Sequence, residues 1–271
     1  MTIQQPELLT APNKKPILMD ISYEGEKKGK PIVLFCHGYK GFKDWGAWHL
    51  VAKIFAKAGY CFVKFNFSHN GGTPENPIDF PDLEAFANNN FSTELDDIDR
   101  VLAYLDTSEV SIIGHSRGGG VVLIKAEEDP RINKVISWAG VSDFKARFQI
   151  ESEAFTEWKK TGVTHIENAR TKQQLPHYWQ FFEDFLANEE RLTIQRAVSQ
   201  LKKPQLIVHG SEDPTVTLAE ARAIHSWNPD SHLEIIEGGD HVFGAKHPWN
   251  ESELPNDLKK AVAITISFLA S

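Results

Sequence analysis

The chain has 271 residues, with 29 Lys and Arg against 37 Asp and Glu, a formal net charge of −8 and 41% hydrophobic residues. This length allows one large domain or two small ones, and the composition excludes a mainly disordered chain. The acidic balance offers no basic surface to a phosphate backbone or an anionic membrane, so we expect neither a nucleic acid nor a membrane as a partner.

The two cysteines and the apolar runs indicate the compartment in which the protein is found. Cys36 and Cys61 each lie in an apolar, strand-like run, and we interpret both as reduced core residues. No basic segment followed by an apolar stretch stands at the N-terminus, and the longest nearly apolar run, 261–270, is shorter than a membrane-spanning helix. These features predict a cytoplasmic protein, unless a precursor segment has been removed.

Several short runs along the chain have the composition of β-strands. The first places Ile17, Met19 and Ile21 on one face, and this alternation predicts a strand at the edge of the sheet. Many of the others are continuously apolar, which is typical of strands buried on both faces of a parallel sheet. These further runs cover 32–36, 60–67, 110–113, 134–139, 205–209 and 233–236.

Segments with helical periodicity lie between the strand-like runs. The first would end at Gly59, the second would begin with Thr93 as its cap, and the third would follow Ser116 and end near Asp129. This alternation predicts an α/β fold with a mostly parallel, twisted sheet and helices on both faces. The predicted inner faces are formed by Leu50, Ile54 and Ala58 in the first helix and by Leu95, Ile98, Leu102 and Leu105 in the second.

One stretch interrupts the alternation, between Val141 and Lys203, and it is too long for an ordinary loop. We therefore predict a single domain, 1–271, with a small helical cap inserted at 141–203. Within this insert, the segment 177–186 carries aromatic residues on two sides of a predicted helix. Such a helix would either pack into the core or roof a pocket with its outer face, and the sequence leaves both interpretations open.

The most specific local pattern is Gly114-His115-Ser116-Arg117-Gly118, which follows a buried strand and precedes a helix. A strand-to-helix turn of this kind is so tight that only glycine fits on either side, and it lifts the serine hydroxyl above the sheet. Ser116 is therefore the candidate nucleophile. The alternative is a glycine-rich turn with a passive serine.

A serine hydroxyl needs a base to activate it and an acid to orient that base. Among the 11 histidines, His241 is the candidate base, because it lies in a glycine-rich loop after the last predicted strand. Asp213 follows the preceding predicted strand and would project over the same edge of the sheet. Glu212 and Asp143 remain alternative acids.

A tetrahedral intermediate also needs two hydrogen-bond donors for its oxyanion. The backbone N–H of Arg117, directly after the candidate nucleophile, is the first candidate. The backbone N–H of Tyr39 is the second, because Gly38 gives the loop after an early strand unusual conformational freedom. The alternative is a glycine turn without a catalytic role. We expect the Arg117 side chain to pair with a carboxylate near the turn.

Together these motifs resemble the α/β-hydrolase superfamily from about residue 30 to the C-terminus, with the chain order Ser116, Asp213, His241. Within it they are similar to the feruloyl- and cinnamoyl-esterase-like, dienelactone-hydrolase-related branch. Dienelactone hydrolases proper use a cysteine where this chain has Ser116. The resemblance implies hydrolysis of small-molecule carboxylic esters, with small or aryl acyl groups, through an acyl-enzyme. It implies no cofactor, and the sequence shows no metal-ligand spacing.

Two competing functions remain open. A peptidase or amidase of the acylaminoacyl-peptidase type has similar motifs, although the short N-terminal segment leaves no room for a gating domain. A binding protein of hydrolase fold would keep these residues without using them. Comparing the turnover of an aryl ester with that of the matching anilide distinguishes an amidase from an esterase. Labelling by a fluorophosphonate distinguishes an enzyme from a binding protein. The sequence does not define the acyl group, the alcohol or the oligomeric state.

Overall fold

The computed structural model describes residues 1–107 and 109–271. Within these residues, one sheet has eight strands and a separate hairpin has two. The strands are β1 (Thr2–Ala11), β2 (Lys14–Glu24), β3 (Ile32–Cys36), β4 (Cys61–Phe65), β5 (Val110–His115), β6 (Ile132–Trp138), β7 (Val163–Glu167), β8 (Gln174–Tyr178), β9 (Gln205–Gly210) and β10 (His232–Ile236).

The helices alternate with the strands over most of the chain, and a short 3-10 helix lies at Lys145–Phe148. None of the helices in the described ranges is long and apolar enough to cross a membrane. The α-helices are α1 (Trp48–Lys57), α2 (Leu83–Ala87), α3 (Phe91–Leu105), α4 (Arg117–Glu128), α5 (Glu153–Thr161), α6 (Gln180–Ala187), α7 (Glu189–Leu192), α8 (Ile194–Gln200), α9 (Leu218–Trp227) and α10 (Asn256–Ala270).

The large sheet has the strand order β1-β2-β4-β3-β5-β6-β9-β10. Strands β1, β2 and β4 pair antiparallel, and all further pairs from β4 to β10 are parallel. Every residue of β4, β5 and β9 is buried, as the continuously apolar runs predict. The predicted α/β fold is confirmed, and the carboxyl ends of the parallel strands share one edge of the sheet.

The prediction that the first strand-like run lies at the edge of the sheet is wrong. The run that contains Ile17 belongs to β2, which lies between β1 and β4, and the edge on this side is β1. Strand β1 carries Pro6 and several polar residues, and its outward-facing side chains are exposed. Proline is tolerated at a sheet edge, but it obscures the pattern of a strand in the sequence.

Two helices differ in detail from their predictions. Helix α1 buries Val51 and Phe55. On the predicted inner face, Leu50 and Ile54 are only partly buried, and Ala58 is exposed just beyond the end of the helix. Helix α3 is capped three residues before Thr93, because the side chain of Asn90 accepts a hydrogen bond from the Thr93 N–H at 2.8 Å, and the helix begins at Phe91. The earlier start brings Phe91 into the core. Helix α4 ends where the sequence predicts.

The insert between β6 and β9 is not purely helical, since it contains the β7–β8 hairpin between α5 and α6. The predicted helix at 177–186 is wrong at its start: His177 and Tyr178 belong to β8, where Tyr178 pairs with Val163 of β7. Both interpretations of its aromatic residues hold in part. Phe185 is buried in the core, and Phe181 both packs there and lines a cavity.

A buried cluster of charges ties the loop after β3 to strands β2 and β4. The fully buried Lys64 donates to the carboxylate of Asp20 at 2.5 Å and also to that of Asp44. Lys43 donates to the same two carboxylates, at 2.7 and 2.5 Å. The backbone N–H of Lys43 donates to the Asn66 side chain at 2.6 Å. The cluster thus anchors the loop that carries Tyr39, a candidate oxyanion donor.

Replacing Asp20 tests how much this cluster stabilises the fold. In Asp20→Ala the buried ammonium of Lys64 loses one of its two carboxylate partners but keeps Asp44, and we expect the free energy of unfolding to fall by about 1.5–3 kcal/mol, the contribution of a hydrogen bond to a charged group. Urea denaturation monitored by tryptophan fluorescence measures it. The control is Glu167→Ala, which removes an exposed ion pair with Lys172 and should change the stability little. Equal losses in both variants would contradict this role of the cluster.

Candidate active site

Ser116 stands at the tight turn between β5 and α4, with φ 58° and ψ −121°. A residue other than glycine adopts such a φ only where its surroundings impose it. The neighbouring glycines show why the turn is so tight. A Cβ at Gly114 would lie 2.2 Å from the carbonyl oxygen of Gly118, and a Cβ at Gly118 would lie 2.6 Å from those of Cys36 and His37. The turn is therefore pressed against the end of β3.

The structure brings His241 and Asp213 to Ser116. The Ser116 hydroxyl lies 3.0 Å from Nε2 of His241, and Nδ1 of the same ring lies 2.7 Å from Oδ2 of Asp213. The two alternative acids do not take part in this chain of contacts. Glu212 is exposed, and Asp143 accepts hydrogen bonds from two backbone N–H groups of its own turn.

The surroundings of Asp213 keep its carboxyl group ionised. Burial alone would raise its pKa, but hydrogen bonds from His209, His241 and the backbone N–H of Val216 outweigh burial and hold the pKa well below the usual range. An ionised carboxylate only accepts hydrogen bonds. Nδ1 of His241 therefore carries a proton and donates a hydrogen bond to Asp213. The other nitrogen, Nε2, faces the Ser116 hydroxyl at 3.0 Å and can accept a hydrogen bond from it whenever it carries no proton.

His115 also contributes to the site, although no sequence pattern singles it out. Its Nε2 donates to the backbone carbonyl of His241 at 2.8 Å and so holds the loop that carries that ring. Burial, followed by the nearby charge of His241, lowers the pKa of His115 to about 3, so its ring stays neutral. The two residues are 126 positions apart, which hides the contact from any local pattern.

The loop after β3 lies directly against the candidate nucleophile. A Cβ at Gly38 would be only 2.8 Å from the Cβ of Ser116, so the backbone of this loop fits only because residue 38 is glycine. The two candidate donors, the N–H groups of Tyr39 and Arg117, stand on the two segments that meet here. Neither has a hydrogen-bond acceptor in the part of the chain that the structure describes. Both are therefore free to bind an oxyanion.

His37 fixes the conformation of this loop. Its Nδ1 donates to the carbonyl of Gly38 at 2.8 Å, and its Nε2 accepts from the backbone N–H of Phe67 at 3.2 Å. Burial lowers the pKa of His37 to about 4, so the ring remains neutral and keeps both hydrogen bonds. The loop is thereby tied to the segment that follows β4.

The Arg117 side chain has a structural partner, as the sequence predicts. Its guanidinium lies 3.3 Å from the carboxylate of Glu94, and both groups are largely buried. Burial raises the pKa of Glu94, while the charge of Arg117 acts against this rise. The guanidinium also lies over the ring of Tyr39, 4.3 Å from its centroid. The Tyr39 hydroxyl in turn contacts Nε2 of His177 at 2.6 Å, which links the loop to the insert.

Two cavities meet at Ser116. The first has a volume of about 490 Å³ and is lined largely by residues of the insert. The second has a volume of about 350 Å³ and is also bordered by His241. Tyr39 lines both cavities. The aromatic side chains that line the first cavity are Phe91, Phe144, Phe148, Phe155, Trp158 and Phe181.

Other polar groups near the site have structural contacts. His69, which follows β4, shares a hydrogen bond with the Ser68 hydroxyl, 2.8 Å from its Nδ1, and lines neither cavity. Within residues 1–107 and 109–271, no group of three or more His, Cys, Asp or Glu side chains is arranged to hold a metal ion. Cys36 and Cys61 are buried free thiols.

The alpha/beta hydrolase family matches residues 33–251 of the sequence. The chain belongs to this family. The predicted superfamily is therefore confirmed, and the coarse activity that the family supports is that of a hydrolase. Among curated relatives of this α/β hydrolase, the non-heme chloroperoxidase CPO-A1 of Kitasatospora aureofaciens is 26% identical, over 89% of this chain and 94% of that protein.

Further relatives of this α/β hydrolase extend the comparison. A poly(3-hydroxyalkanoate) depolymerase of Ectopseudomonas oleovorans is 23% identical, over 67% of this chain and 68% of that protein. Among solved structures, Est1E from Butyrivibrio proteoclasticus is similar with a TM-score of 0.71 and 15% identity, and the match covers 98% of this chain and 99% of that one. At this identity the structural similarity shows a shared fold.

Replacing Gly38 tests the contact between the loop and Ser116. The added Cβ of Gly38→Ala must push the loop away from the serine. We expect the rate of covalent labelling by a fluorophosphonate to fall about tenfold or more, because Tyr39, a candidate oxyanion donor, moves. The control is Gly29→Ala, which strains a glycine of positive φ in open space and should leave the labelling rate unchanged. Equal rates in the two variants would contradict a requirement for the close contact.

Proposed function

We propose that this α/β hydrolase is a serine esterase that cleaves carboxylic esters of small or aryl acids through an acyl-enzyme. The observation that carries the proposal is the continuous chain of contacts from Ser116 to His241, at 3.0 Å, and from His241 to Asp213, at 2.7 Å, which begins where two cavities meet. These are the three roles that nucleophilic acyl transfer needs.

In the first half of the proposed reaction, Nε2 of His241 takes the proton of Ser116 as its oxygen attacks the ester carbonyl. Asp213 stabilises the imidazolium that forms. The N–H groups of Tyr39 and Arg117 donate to the oxyanion of the tetrahedral intermediate. The intermediate then collapses, the bond to the alcohol oxygen breaks, and His241 gives its proton to that oxygen.

In the second half, water takes the place of the alcohol. His241 removes a proton from the water as it attacks the acyl-enzyme, a second tetrahedral intermediate forms, and its collapse returns the proton to Ser116 and releases the acid. The buried Asp213 is held ionised by its hydrogen bonds, so it orients the same His241 tautomer in both halves.

The aromatic cavity under the insert supports an aryl or medium-length acyl group. Its aromatic side chains offer flat apolar surfaces to a ligand. They already pack against one another in the usual aromatic geometry, as Phe148 and Phe181 do with their centroids 5.2 Å apart. Ferulic acid, itself an aryl acid, has been found bound to Est1E, a protein of the same fold. The acyl half of the ester would thus lie between the core and the insert.

Two substitutions test the proposed roles. In Ser116→Ala we expect kcat for phenyl acetate to fall roughly 10⁴-fold or more, and in Asp213→Asn roughly 10³–10⁴-fold, because the amide favours the wrong tautomer of His241. The control is Asp143→Asn, which changes a rival acid that only caps its own turn and should keep kcat unchanged. Steady-state release of phenol measures all three, with circular dichroism to confirm folding.

The same assays separate the competing functions. A Ser116→Ala protein as active as the wild type would contradict the proposed esterase mechanism. Faster turnover of acetanilide than of phenyl acetate would favour an amidase. A folded protein that hydrolyses neither substrate and is not labelled by a fluorophosphonate would favour a binding role.

A further inference from the structure

The second cavity differs from the first in the residues that border it. Both include Ser116 and Tyr39, but only the second includes His241. In the proposed esterase reaction, on which this inference rests, His241 gives a proton to the oxygen of the departing alcohol. The alcohol half of the ester must therefore lie beside His241, in the second cavity.

Positive charge dominates the lining of the second cavity. Lys40 and Arg170 both line it, and no Asp or Glu among the described residues does. The guanidinium of Arg170 is already paired with Asp79, at 2.7 Å, and with the carbonyl of Ile78, at 2.8 Å. Its charge is thus largely balanced.

Lys40 has no such partner. Across residues 1–107 and 109–271, no carboxylate lies within 4.0 Å of its ammonium group, which lies 5.5 Å from the centroid of the Tyr39 ring. Burial lowers the pKa of Lys40, because part of its hydration shell is lost without a counter-ion. In a protein of net charge −8, this half-buried cation has no carboxylate partner among the described residues and lines the same cavity as Ser116.

A second donor in this cavity also lacks an acceptor. Asn168, in the turn between β7 and β8, is 7% exposed, and its Nδ2 has no hydrogen-bond partner among the described residues. Its orientation is fixed, because its Oδ1 accepts from the backbone N–H of Arg170 at 3.1 Å. Buried N–H groups are rarely left without an acceptor. The Nδ2 atom itself is buried, so a ligand oxygen in the second cavity reaches it only after a small shift of this turn.

We propose that the second cavity binds a carboxylate carried by the alcohol half of the ester, with Lys40 as its counter-ion and Asn168 as a second donor once the turn has shifted. A carboxylate provides the negative charge for the ammonium and an acceptor oxygen for the amide. The single negative charge of a carboxylate also balances the single positive charge of Lys40. The substrate class is therefore an ester of a hydroxy acid, cleaved at the ester of its hydroxyl group.

Two esters that differ only in charge test this proposal. The esters 3-acetoxybenzoate and 3-acetoxybenzamide share the acyl group and the ring, and at neutral pH only the first carries a negative charge. We expect the wild type to prefer the benzoate by about tenfold or more in kcat/KM, because a hydrogen bond to a charged group typically contributes at least this factor. In Lys40→Gln this preference should fall to near unity. The control Lys57→Gln, at the exposed end of α1, should retain it.

Binding gives a readout that does not depend on turnover. In the Ser116→Ala protein, calorimetric titration should show 3-hydroxybenzoate binding about tenfold more weakly after Lys40→Gln, with 3-hydroxybenzamide unaffected. Equal binding of the two ligands, or an ester preference that Lys40→Gln leaves intact, would overturn the inference. Charge-selective binding without any ester hydrolysis by the wild type would support the anion site and contradict the esterase function.

Discussion

The candidate site depends on one steric constraint, the close approach of two backbone segments to Ser116. Gly38 and Gly118 are the points of contact, and a Cβ at either position would lie less than 3 Å from neighbouring atoms. The two backbone N–H groups and the Cβ that carries the hydroxyl are thus placed by packed main chain, which has no rotamer freedom. The strained φ of Ser116 costs about 1–3 kcal/mol, which the surrounding buried strands offset.

The parallel sheet supplies the rest of the site, and this part could be predicted from the sequence. The pattern around Ser116 is local, and the loops of Asp213 and His241 follow strands whose carboxyl ends share one edge. What the sequence did not show depends on contacts between distant residues. The hydrogen bond from His115 to His241 and the contact between Tyr39 and His177 join positions 126 and 138 apart. No periodicity within a short segment reports such pairs.

The errors in the fold have similar physical reasons. Helix α1 has apolar residues on more than one side, so periodicity alone did not select Val51 over Ile54 as the buried position. The β7–β8 hairpin is short and largely exposed on β7, which removes the apolar signal of a strand. The same hairpin places Asn168 beside the second cavity. The segment that was hardest to predict thus provides contacts to both halves of the proposed substrate.

The central claim is that Ser116 carries the acyl group during turnover. The most direct test mixes the protein with phenyl acetate, quenches the reaction in acid before the steady state, and measures the intact mass and the modified peptide. The account predicts a gain of one acetyl group on the peptide that contains Ser116, and no gain in Ser116→Ala. Release of phenol without any acetylated protein, or acetylation at another residue, would contradict it.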